Sequence, residues 1–213
     1  VGHHLAQSLP KDVNIDAIKK NFNISDQKKV IAILPGSRKS EIKYHGRPLI
    51  DFINLYKKGN EDSEIVLALN RLEDMPEIFK GIKDKIKIVF GETQKVLSMA
   101  DIAVVASGTA TLEAAILAKP MVVIYKSNLI SNFILSNFFL KSKYISLPNI
   151  LSQSEIVPEL RQNKVTGLEI LSKVNSVFLS ESKIINQLSS LKDNLLVNDS
   201  AKFSRAIKKL ILE

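Results

Sequence analysis

Two runs of consecutive apolar residues, Val30-Ile31-Ala32-Ile33-Leu34 and Met121-Val122-Val123-Ile124, constrain this chain more than any other feature. A strand with one face in water alternates apolar and polar residues. A strand that is apolar at every position must be covered on both faces, the condition of a parallel sheet between helical layers. These runs predict strands at 29–34 and 121–125, and similar patterns predict strands at 64–69, 85–90 and 102–106. Apolar residues at helical spacing predict helices at 48–58, 73–82, 93–100 and 109–118. Strand and helix alternating in this way define an α/β fold with a doubly wound parallel sheet.

The β signals stop near Glu155, and helices are expected at 154–162, 167–179, 181–195 and 200–212. In the last of these Phe203, Ile207, Leu210 and Ile211 share one face, leaving Lys202, Arg205, Lys208 and Lys209 mainly toward water. Residues 129–140 are apolar on nearly every helical bearing. Twelve residues are too few for a membrane span, which takes about 20. Flanked by Lys126, Lys141 and Lys143, this stretch suits either burial against another protein surface or docking on a membrane interface.

Composition narrows the classes of function. The chain has no cysteine, so a disulfide framework and a thiolate metal site are both excluded. A three-histidine metal site from His3, His4 and His45 has no supporting acid cluster, and no metal or other cofactor is expected. Thirty basic residues against 22 acids give a net charge of +8, which favours an anionic partner. The basic residues are spread through the predicted surface helices without aromatic interleaving, so nucleic acid is not the expected partner. The chain starts at Val1 with no signal-peptide pattern, and its start reads as a cut.

Three segments carry the chemistry. Leu34-Pro35-Gly36-Ser37-Arg38 closes the first strand at the edge where ligands of open α/β sheets bind. Gly36 and Ser37 let the backbone approach an anion, and Arg38 offers a fork of donors to phosphate oxygens; a plain turn with a solvated Arg38 is the alternative. Ser107-Gly108-Thr109 closes a strand and opens a helix, whose orphan N–H groups and dipole face the same edge. Ser107 or Thr109 is expected to cap that helix. Glu113, one turn further on, is placed to accept both hydroxyls of a ribose, or else is an ordinary acid near a helix start. Tyr144 to Leu151 reads as a short extended piece ended by Pro148, with Asn149 as a turn or hydrogen-bonding residue beside a new helix. Neither a GxGxxG fingerprint nor a Walker A loop occurs.

Together these segments resemble the C-terminal half of lipid-A-disaccharide synthase, a two-domain GT-B glycosyltransferase, along almost the whole chain. The specific matches are Leu34 to Arg38, Ala106 to Thr109 with Glu113, Lys119 to Val122, and Ser146 to Asn149 with Val157 to Leu160. The resemblance implies a Rossmann-like donor domain at 29–153, preceded by an interdomain linker remnant at 1–28 and followed by a helical segment at 154–213. It implies transfer of 2,3-diacylglucosamine from UDP-2,3-diacylglucosamine to 2,3-diacylglucosamine 1-phosphate at the cytoplasmic face of the inner membrane. Arg38 would hold the diphosphate and stabilise the leaving group. Gly36, Ser37, Ser107, Gly108 and Thr109 would cradle phosphate, and Glu113 would take the ribose. Asn149 would lie close to the donor, as would Gln162. His4 departs from the small residue or proline expected after Gly2-His3. The family's N-terminal domain, with the acidic residue expected as base and most of the acceptor contacts, has no counterpart here. Partner copies of the chain are left open.

Two other readings stand beside it. One is a different GT-B enzyme of a UDP-amino sugar, such as the transferase completing lipid II or a UDP-GlcNAc 2-epimerase. These are not expected to carry Leu147-Pro148-Asn149 followed by Val157-Pro158-Glu159-Leu160. The other is a non-catalytic UDP-binding remnant.

Overall fold

The computed structural model describes residues 14–71, 75–127 and 143–197. Within them six strands form one parallel sheet in the order β3-β2-β1-β4-β5-β6. The strands are β1 (Val30–Leu34), β2 (Glu64–Leu69), β3 (Lys87–Phe90), β4 (Ile102–Ala106), β5 (Met121–Tyr125) and β6 (Glu159–Arg161). Every residue of β1 and β4 is buried, so both faces of the sheet are covered. This is the condition their unbroken apolar runs impose.

The helices are α1 (Ile15–Asn21), α2 (Lys39–Lys57), α3 (Glu77–Lys80), α4 (Thr93–Met99), α5 (Thr109–Ile116), α6 (Leu147–Ser152), α7 (Gly167–Leu179) and α8 (Glu181–Val197). Helix α2 buries Ile42, His45, Leu49, Phe52, Ile53 and Tyr56, a stripe at spacings of three and four, and packs along α7. Helix α7 in turn lies on β4 and β5, while α4 lies on β1, β2 and β3. Helix α8 covers α5. The stretch read as linker contains α1 in its described part. There α1 packs on α4, and the buried Lys19 donates Nζ to the carbonyls of Asp26 and Lys28, at 3.0 Å each.

Three local expectations are corrected. Helix α2 begins at Lys39 rather than Pro48, which sits in its interior. The first turns are held by Glu41, whose carboxylate caps the helix start, and by Ile42 and His45 at the core; these outweigh the missing proline N–H. The stretch 154–162 is not helical: Pro158 disfavours α backbone in Val157, and Glu159–Arg161 pairs with β5 in parallel through Val123↔Glu159, Ile124↔Leu160 and Tyr125↔Arg161. A strand of three residues is too short to show a period. The extended piece expected to end at Pro148 turns into α6 at Leu147, with Pro148 in the first turn, where its missing N–H costs nothing. The segments 129–140 and 200–212, predicted helical, lie outside the described residues, as do His3 and His4.

Candidate functional site

The strand order changes direction at β1, whose neighbours are β2 on one side and β4 on the other. At such a switch point the loops leaving β1 and β4 diverge and open a crevice at the carboxyl edge. The register Leu34↔Val105 brings the two strand ends level. The crevice is a cleft of about 450 Å³ lined by Gly36, Ser37, Arg38 and Glu41 after β1, by Ser107, Gly108, Thr109, Ala110 and Glu113 after β4, and by Asn70 and Thr93. Arg38 and the mouth of α5, far apart in sequence, therefore share one cavity.

Each wall has a glycine at its turn beside N–H donors. Gly36 has φ +113°, and a Cβ there would stand 2.5 Å from Glu41 Oε2, so only glycine fits. The Glu41 carboxylate accepts the backbone N–H of Ser37 at 3.0 Å and of Arg38 at 3.3 Å, and pairs with Arg38 Nη1 at 3.2 Å. Backbone amides and a guanidinium thus converge on one carboxylate in a nest suited to oxyanions. The Arg38 side chain, 79% exposed, lines the cleft rim in this ion pair with Glu41.

On the facing wall, the capping expected from Ser107 or Thr109 is corrected. The N-cap is Gly108, which has no side chain to offer, and Thr109 is already helical. Ser107 is turned away: its Oγ donates to the Ile145 carbonyl at 2.8 Å. The first turn of α5 is left without a side-chain cap, and its opening residues Thr109 and Ala110 line the cleft at the positive end of the helix dipole. Gly108 adopts φ +155° and ψ −162°, a region almost confined to glycine, and a Cβ there would meet no protein atom. Glu113 lies one turn inside the cleft, where burial pushes its carboxyl above the usual range.

The β1 wall is fixed from behind by His45, which is 1% exposed. Its Nδ1 lies 2.7 Å from the Pro35 carbonyl, and its Nε2 accepts the Lys126 backbone N–H at 3.0 Å. The second bond needs a bare Nε2, so the proton sits on Nδ1, donated to Pro35. Desolvation by burial holds the imidazole below its ordinary pKa, against a rise from the Pro35 bond. His45 therefore anchors the Pro35–Arg38 loop to the chain leaving β5.

The remaining sequence-singled residues stand elsewhere. Asn149 is fully buried: Oδ1 accepts from the N–H groups of Ile156 and Val157, and Nδ2 donates to the Val157 carbonyl and to Glu159. It does not line the cleft. Gln162, in left-handed backbone at φ +49°, accepts the Ser127 N–H and borders a second depression with Lys143, Tyr144, Arg161 and Lys164. Asn70 and Thr93 line the cleft without having been singled out. Their signal was positional, since each follows a strand at the carboxyl edge. Among the described residues no cluster of His, Asp and Glu is arranged to hold a metal ion.

Solved structures with this fold include ADP-heptose heptosyltransferase II of Escherichia coli, with a TM-score of 0.58, 16% identity, and cover of 83% of this chain and 57% of that one. A putative UDP-N-acetylglucosamine 2-epimerase from Listeria monocytogenes superposes with a TM-score of 0.56, 12% identity, and cover of 86% and 44%. The fold is that of one half of a GT-B glycosyltransferase. A family model of lipid-A-disaccharide synthetase matches residues 1–211, and the chain belongs to the lipid-A-disaccharide synthase family. It is 34% identical to the lipid-A-disaccharide synthase of Cellvibrio japonicus over 99% of this chain and 56% of that protein. The corresponding enzyme of Colwellia psychrerythraea is 32% identical over 97% and 54%. The chain thus spans about half the length of these curated relatives.

Proposed function

We propose that this chain is the donor-binding half of a glycosyltransferase that moves 2,3-diacylglucosamine from UDP-2,3-diacylglucosamine to 2,3-diacylglucosamine 1-phosphate, giving the lipid A disaccharide and UDP. The observation carrying the proposal is the single cleft shared by Arg38, the uncapped mouth of α5 and Glu113. A uridine diphosphate matches that cleft group for group. Its phosphates suit the guanidinium of Arg38 and the N–H groups near Gly108 and Thr109, with Gly36 and Ser37 leaving room for close approach. Its ribose hydroxyls suit the Glu113 carboxylate.

In glycosyl transfer the departing UDP gains negative charge, and preorganised donors stabilise that charge without reorganisation at the moment of reaction. Arg38 and the α5 dipole supply this on the donor side. The acceptor hydroxyl also needs a base, and both sugars must be held together. We assign the base and most acceptor contacts to the part of the longer relatives this chain does not span. The lipid substrates place the reaction at the inner-membrane surface, with the enzyme peripheral to it on the cytoplasmic side.

Isothermal titration with UDP tests the donor site. Saturable binding is expected. The absence of both heat and a thermal shift at millimolar UDP would refute the proposal and leave a non-binding remnant. A disaccharide assay separates the halves: the isolated chain should bind UDP and turn over poorly or not at all.

A further inference from the structure

Behind the β4 wall lies a buried polar network that the donor-site reading does not use. Glu159, at the start of β6, has a side chain only 6% exposed. Its carboxylate accepts from Ile145 N at 2.9 Å, Ser146 N at 2.9 Å, Ser146 Oγ at 2.7 Å, Asn149 Nδ2 at 2.9 Å and Arg161 Nη2 at 2.9 Å. A buried carboxylate is tolerated only when its lone pairs are satisfied, and these donors satisfy them.

The segment so gripped is itself a brace for the helix mouth. The Ile145 carbonyl accepts the Ser107 hydroxyl at 2.8 Å. Two residues on, the Leu147 N–H reaches Thr111 Oγ1 at 3.4 Å, and that hydroxyl donates to the Gly108 carbonyl at 2.7 Å. The brace therefore holds the Ser107–Thr111 turn at both ends. Asn149 secures the far end of the same segment through Glu159 and the Val157 carbonyl.

We infer that Glu159 is a positioning residue for phosphate binding: it fixes the 145–149 segment, which in turn sets the Ser107–Thr111 turn that faces the ligand. This rests on the reading of the cleft as a diphosphate site. The chemistry requires a carboxylate and not an amide. Donors converge on both oxygens of Glu159, so a glutamine in either flip would aim its NH₂ at a donor: Ile145 N–H or Arg161 on one side, Ser146 and Asn149 on the other. Displacing the mouth by a fraction of an ångström weakens the phosphate contacts of the α5 N–H groups together while leaving Arg38, on the β1 wall, in place.

The test compares UDP affinity and thermal stability in Glu159→Gln and in a control, Ile82→Ala, a core truncation in the turn before β3, at the opposite edge of the sheet. Glu159→Gln is expected to weaken UDP binding on the order of tenfold or more. Ile82→Ala should lower Tm with unchanged affinity. Uridine, which lacks phosphates, should lose none of whatever weak binding it has to Glu159→Gln. If the parent binds UDP and Glu159→Gln binds it equally well, the inference falls while the donor site stands. If the parent itself does not bind UDP, the donor-site reading is what fails. Should Glu159→Gln not fold, Ser146→Ala removes one donor at 2.7 Å, and a lowered Tm with unchanged UDP affinity would overturn the inference.

Discussion

The Glu41 carboxylate lies over Gly36 so closely that a Cβ on Gly36 would stand 2.8 Å from Glu41 Cβ, while Glu41 Oε2 takes the Ser37 N–H at 3.0 Å. Loop and helix start are thus one unit. Gly36→Ala is expected to cost about 1–3 kcal/mol, from φ strain and the clash. Glu41→Ala should cost about 1 kcal/mol, the usual value of a helix cap. Truncating Glu41 to alanine removes its Oε2 and Cδ contacts with the added methyl but keeps the Cβ at 2.8 Å, so the clash is relieved only in part and the double variant should lose somewhat less than the two single losses combined. Denaturant melts of the four proteins decide it, and strict additivity would show that the contact is not shared.

Arg38 is mostly exposed and contributes little to the fold, so its removal should be felt in binding alone. Arg38→Ala is expected to weaken UDP on the order of tenfold to a hundredfold, the loss of a charge-assisted bond, with Tm nearly unchanged. Arg38→Lys keeps the charge without the fork and should fall between. Titration at rising salt should narrow the difference between parent and Arg38→Ala. An Arg38→Ala protein that binds UDP like the parent would remove Arg38 from the site.

Glu113 gives a stability effect opposed to its functional one. Burial raises its pKa in the folded protein, so the folded state holds the proton more tightly than the unfolded one. That contribution to stability is present at low pH and is lost as pH rises through the raised folded value. Glu113→Gln, uncharged throughout, should therefore raise Tm at neutral pH and weaken UDP binding. A neutral-pH Tm equal to or below the parent's would contradict the raised pKa.

His45 has the opposite sign. Its folded pKa is depressed by burial, so the stability it contributes is present above the ordinary histidine value of 6.5 and is lost as pH falls through the lower folded value. Protonation also breaks the Lys126 N–H to Nε2 bond. The ionisable neighbours are Glu41, which favours the charged ring, and Lys126, which opposes it. Denaturant stability should decline on acidification below pH 6.5, and His45→Gln, less stable at neutral pH, should show a shallower decline. Parallel pH profiles for the two proteins would count against it.

Much of the fold could be read from residue patterns, because burial on both faces leaves a mark that no partner is needed to interpret. Strands β2, β4 and β5 were predicted residue for residue, as was α7, whose amphipathic stripe is complete. The failures lie where tertiary context overrides local pattern. Pro48 looks like a helix start until Glu41 and His45 anchor the turns before it. Strand β6 is three residues long and depends on β5 for every backbone bond it makes with the sheet. That Gly36, Arg38, Gly108 and Glu113 would share one crevice was legible, because they follow strand ends at the carboxyl edge of the sheet where its order reverses. The partners of Ser107 and Asn149 were not, since Ser107 spends its hydroxyl on Ile145, far away in sequence, and the fold alone shows that Asn149 ties Ile156, Val157 and Glu159 together.

His45 joins the loop after β1 to the residues leaving β5, and those strands are separated in the sheet by β4. The ring is consequently a tie beam across three strand ends, set in place when the core forms. On the proposed reading of the cleft, a nucleotide would find the shape of this side already decided, so little ordering would oppose association here. Whatever adjusts on binding must be sought at the exposed rim around Arg38, not beneath it.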